Sequence, residues 1–163
     1  MNSLKNLSSN NYVLSHFLTA WIIMIQIFVI LMDKTNRKVK RWVWESLYCF
    51  SLVVLLSGML HFIIVDKRKI TNFYNINEET FEMANILTHF IPFLIVFFYK
   101  PKQSNLVGKS NPTKSFLLGL FIFINYNMMS NMSNIYLISY GKVLIISIGS
   151  LLLYYLLLHM IKK

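Results

Sequence analysis

One cysteine, three prolines, five glycines and two alanines stand among 163 residues, and only six side chains are acidic. Each shortage excludes something. A lone Cys49 rules out an intrachain disulfide and any CxxC chemistry; set inside an apolar run, it reads as a small buried residue rather than a nucleophile. So few small residues, with no GxxxG spacing, mean few close backbone crossings, so helix interfaces must be filled by Leu, Ile, Phe and Met. GxSxG, P-loop, Rossmann and HExxH patterns are missing, as are paired intramembrane aspartates. Ser57-Gly58 with His61 has the spacing of a nucleophile and base one helical turn apart. Such pairs more often serve packing and hydrogen bonding, and no oxyanion hole is evident beside them. An enzyme is therefore the less favoured reading.

What is abundant is hydrocarbon. The hydrophobic share is 56% and the charged share 13%, with a mean hydropathy of +0.54; soluble domains have an apolar share of roughly 45–50%. About 20 apolar residues are needed to cross a bilayer as a helix. The expected fold class is all-α, a polytopic membrane helical bundle of about five transmembrane helices. The runs fall near 12–32, 42–65, 81–99, 115–129 and 142–161, in a single integral membrane domain over 1–163. The first run is too long for a signal-peptide core and is followed by no small-residue cleavage site. The fourth run is the least clean, because Asn125, Asn127, Asn131 and Asn134 are costly in hydrocarbon unless hydrogen-bonded; a short span ending near Met129 is preferred. The loop 66–80 has mixed charge, with an Asn-rich middle that suits irregular chain or a short interfacial helix. Pro92 lacks an N–H and collides with the Thr88 carbonyl, so a kink or local opening is expected.

The net charge of +10 would suggest nucleic acid in a soluble protein. Here no basic stripe with stacking residues forms a domain, and a nucleic-acid partner is not expected. The bias of Lys and Arg across the spans is more informative. Residues 33–41, 100–114 and the C-terminal tail hold eleven, against five on the other side. The positive-inside rule then places the N-terminus outside and the C-terminus in the cytoplasm. A composition rich in Asn, Lys, Ile, Phe and Tyr resembles that of a low-GC bacterial genome, so the expected location is a bacterial plasma membrane.

The polar residues inside the runs carry the functional expectation. On a helix Glu82, Asn85 and His89 share one arc with Glu78 and Pro92, while Phe81, Leu87, Leu94 and Phe98 lie opposite and suit lipid or a neighbour. His16 and Gln26 share a face of the first run, and Ser57 and His61 one of the second. With alternating direction, His16, His61 and His89 all fall in the outer half of the bilayer, His89 roughly 12 Å deep. If those faces point inward, His16, Gln26, Ser57, His61, Glu82, Asn85 and His89 surround one outward-opening pocket. The expected function is binding: an accessory or immunity-type protein whose pocket receives a ligand, a lipid headgroup or a peptide. Its partners would be the lipid bilayer and another membrane protein or a peptide. The alternative is a small transporter or channel component using Glu82 and His89 for protons or cations. No cofactor is predicted. A haem or transition metal on the imidazoles, in a membrane enzyme, is the least favoured reading.

Overall fold

The computed structural model describes residues 18–129 and 137–161. These form six helices and one short parallel bridge: α1 (Leu18–Lys34), β1 (Val39–Lys40), α2 (Arg41–Ile64), α3 (Lys67–Tyr74), α4 (Glu78–Phe98), β2 (Leu106–Val107), α5 (Pro112–Met129) and α6 (Tyr140–Ile161). Three of them, α2, α4 and α6, are long and apolar enough to cross a membrane.

Local chemistry fixes where the helices begin and end. At the end of α1, Asn36 adopts a left-handed conformation with φ of 56°. Its N–H reaches the Asp33 carbonyl at 3.0 Å and the Arg37 N–H reaches that of Met32 at 2.8 Å, a Schellman closure with Asn in place of the usual Gly. Asp66 caps α3 by accepting from the Arg68 N–H, and Asn75 closes it in the left-handed region. The loop 66–80 therefore contains a short amphipathic helix, which buries Ile70 against Val65 and Phe81 and leaves Arg68, Lys69 and Phe73 exposed. Asn77 caps α4 through the Thr80 N–H, and Glu78 and Glu79 in its first turn suit the positive end of the helix dipole. Pro112 opens α5, where a missing N–H is harmless, and Asn111 caps it by accepting from the Lys114 N–H at 2.9 Å.

α2 is the pillar of the bundle. Leu47, Cys49, Phe50, Val53 and Val54 are all buried along it, and it packs against α4, α5 and α6 while α1 packs on α4 and α2. Residue pairs Val39–Leu106 and Lys40–Val107 form the parallel bridge, which ties the two basic loops together at one end. The sequence patterns do not foretell this bridge, because two-residue strands have no periodicity to read. The helix α4 runs through Pro92. Its flank also differs from expectation at one position: Leu87, Leu94 and Phe98 are exposed, but Phe81 is buried, because α3 folds back over it. Asn125 and Asn127 donate to the carbonyls of Phe121 and Phe123 at 2.7 and 2.8 Å, which satisfies part of each amide locally. Asn131 and Asn134 lie outside the described residues.

Candidate functional site

Polar groups gather at both ends of the bundle, with a cross-link between them. At the bridge end, Asp33 is buried. Its carboxylate accepts from the Tyr99 hydroxyl at 2.5 Å, the Asn105 amide at 2.8 Å and the Lys102 N–H at 3.1 Å. Burial works against the ionised carboxyl, but these hydrogen bonds and the Lys102 charge outweigh it and hold its pKa below the ordinary 3.8. Ser46, Ser115 and Tyr154 form a second knot. The Tyr154 hydroxyl donates to the Ser115 carbonyl at 2.5 Å and lies 2.7 Å from the Ser46 hydroxyl. Glu45 accepts from the Ser110 hydroxyl at 2.7 Å. Each group here has its partners, as buried polar groups require.

The middle of the bundle holds one cross-link. The Gln26 amide donates to the Ser51 hydroxyl at 2.7 Å and to the Pro92 carbonyl at 2.9 Å, joining α1, α2 and α4. Ser51 donates onward to the Leu47 carbonyl at 2.6 Å. Both acceptors facing Gln26 fix its NH2 toward them, which leaves the buried Oε1 without a donor.

Away from the bridge lies a cavity of about 80 Å³, walled by all five long helices. Thr19 from α1, Ser57 and His61 from α2, His89 from α4, Phe123 from α5 and Ser150 from α6 are among the residues that contribute. Most of the wall is aliphatic or aromatic. The polar groups are the hydroxyls of Thr19, Ser57, Ser147 and Ser150 and the imidazoles of His61 and His89. Ser57 and Ser150 are hydrogen-bonded to each other at 2.7 Å. The Nδ1 of His89 lies 2.8 Å from the Asn85 carbonyl. A carbonyl only accepts, so Nδ1 carries the hydrogen and Nε2 of the neutral ring is an acceptor. The His89 ring can sit there because Gly58 has no side chain: a Cβ on Gly58 would lie 2.2 Å from the ring.

The seven sequence-derived site residues are thus divided. Ser57, His61 and His89 line the cavity. Asn85 enters through its backbone carbonyl, which orients His89. Glu82 is paired with Lys67 of α3 at 2.6 Å and is not a wall residue. Gln26 belongs to the cross-link, and His16 lies outside the described residues. Sequence reasoning passed over Ser147 and Ser150. Their signal was a pair of hydroxyls three residues apart, one helical turn, in an otherwise hydrocarbon run. Among the described residues, no group of three or more His, Cys, Asp and Glu side chains is placed to hold a metal ion. No protein-family model matches the chain, and neither does any curated protein or solved structure.

Proposed function

We propose that the protein is a multi-pass membrane binding protein, of accessory or immunity type, that receives a small ligand or the end of a larger one in the cavity at His61 and His89. In this reading α1 and α5 also cross the bilayer, giving five spans. The bridge and its basic loops face the cytoplasm, so the cavity belongs to the outer half. The carrying observation is that five separate helices place wall residues around one cavity, with hydroxyls and imidazoles among apolar neighbours. A few convergent polar groups in an apolar concavity are the usual make-up of a binding site. The proton- or cation-coupled alternative draws less support, because its proposed carboxylate, Glu82, is occupied by Lys67.

Native mass spectrometry of the protein released from its own membranes tests this. The wild type is expected to retain a small molecule that Ser150→Phe, which fills the cavity, does not. Identical adducts on both, or bare protein in both, would remove the binding reading, provided that thermal melts show the variant folded.

A further inference from the structure

We infer that the cavity selects an uncharged ligand end bearing a hydroxyl, such as the head of an aliphatic or isoprenoid alcohol, which donates to Nε2 of His89 and exchanges hydrogen bonds with Ser57 and Ser150. This rests on the binding reading above and adds the ligand's chemistry to it.

Three observations lead there. First, no Asp, Glu, Lys or Arg is among the described residues that line the cavity. The charged pair near this end, Lys67 and Glu82, is closed on itself at 2.6 Å. A ligand ion would be stripped of water among hydrocarbon walls with no counter-charge, which costs several kcal/mol. Second, the polar inventory suits a hydroxyl. His89 donates through Nδ1 to Asn85 and offers an acceptor at Nε2. One of Ser57 and Ser150 donates to the other, and the second hydroxyl of the pair keeps a hydrogen to give. An O–H, which both donates and accepts, answers both needs; a carbonyl alone would leave Nε2 unsatisfied. Third, the volume is right for an end rather than a whole amphiphile. About 80 Å³ is room for two or three water-sized occupants, at the roughly 30 Å³ that a water takes in the liquid. That admits a hydroxyl and a few carbons against Phe50, Val53 and Phe123.

The test uses three matched alkyl probes, each with a diazirine beside its polar end, ending in hydroxyl, carboxylate or trimethylammonium. The full-length protein is held at pH 7.5 in nanodiscs of phosphatidylcholine, and crosslinks are mapped by peptide mass. The hydroxyl probe is expected to label the segments around Ser57–His61 and Ser147–Leu151 at least tenfold more than either charged probe. His89→Leu should abolish that labelling. His89→Gln, whose amide oxygen restores an acceptor, should recover much of it, with melting temperatures confirming that both variants fold. Equal or stronger labelling by a charged probe overturns the neutral-ligand inference and leaves the binding reading standing. Labelling of the cavity segments no stronger than that of the outer faces of α4 and α6, for every probe, overturns both. Labelling that survives His89→Leu unchanged removes His89 from the recognition.

Discussion

At the bridge end of the bundle, Asp33 takes three donors, Tyr154 ties Ser46 to Ser115, and Lys38 donates to the Ser104 carbonyl at 2.9 Å. At the cavity end the same helices leave space, and the described polar contacts are a hydroxyl pair and a histidine held by its own helix. The difference teaches how this chain uses its few polar residues. Those near the basic loops bind one loop to another and order the bundle's frame. Around the cavity, His89 and the Ser57–Ser150 pair still have hydrogen-bonding capacity. Substitutions at the first end should therefore be read in stability, and at the second in ligand.

Asp33→Ala is the sharpest way to break that contrast. It strips an acceptor from the Tyr99 hydroxyl, the Lys102 N–H and the Asn105 amide at once, in a place buried at Asn105 and half-buried at the other two, although the Asn105 amide keeps the Asp33 backbone carbonyl at 3.1 Å. A loss of about 3 kcal/mol is expected on denaturation in detergent, since orphaned buried partners each cost about 1–3 kcal/mol. Its charge also sets a pH dependence. The folded carboxyl titrates below its ordinary 3.8, so its stabilisation is whole above about pH 4 and drains away as pH falls through the lower folded value. Wild-type protein should lose stability across that acid window more steeply than Asp33→Asn. Parallel acid profiles for the two would show that Asp33 is not held ionised.

Next in size come the two glycine seats, which differ in what they support. A Cβ on Gly119 would lie 2.5 Å from the Tyr154 ring, in the packed end, so Gly119→Ala should cost about 1–3 kcal/mol through overpacking. Tyr154→Phe, which keeps the ring and removes the hydroxyl shared by Ser46 and Ser115, should cost about 1 kcal/mol. At Gly58 the added methyl meets His89 from its ring down to its Cβ, which would lie 2.8 Å away, so turning the ring alone does not relieve the clash and the helices must shift as well. Gly58→Ala should thus destabilise by a similar amount, about 1–3 kcal/mol, and, unlike Gly119→Ala, abolish labelling by the hydroxyl probe. Equal labelling of the two alanine variants would dissolve the distinction between the ends.

The sequence made the helical bundle legible because uninterrupted apolar runs have few other solutions, and the caps at Asp66, Asn77 and Asn111 follow from residue chemistry. The cavity was legible in part. Ser57, His61 and His89 stood out because imidazole and hydroxyl are costly in hydrocarbon, and helical spacing aimed them. Spacing alone could not separate Gln26 from them, because a buried amide facing a cavity and one cross-linking three helices share the same periodicity. Glu82 was likewise read with His89 from their common face; its pairing depends on where α3 folds, which no pattern within α4 records. The importance of Gly58 and Gly119 lay in a partner ring on another helix. The scarcity of glycine was no guide, since a Cβ on Gly108, Gly141 or Gly149 would meet nothing within 4 Å.

The smallest expected effect asks what covers α6. Its mean hydropathy window of 2.1 is the highest of the three candidate spans, yet only 11% of that window is buried, against 56% for α2. A Cβ on Gly149 would meet nothing within 4 Å, although Ser150 beside it lines the cavity. If lipid alone faces this side, Gly149→Ala adds a methyl to hydrocarbon and relieves the entropy of a helical glycine, a gain of about 0.5–1 kcal/mol. A loss of that size would mean that another protein surface sits against α6 and uses the notch at Gly149, as His89 uses Gly58. Melts of this variant over a tenfold dilution in detergent separate the two, because an intermolecular contact weakens with dilution and a lipid-facing glycine does not respond.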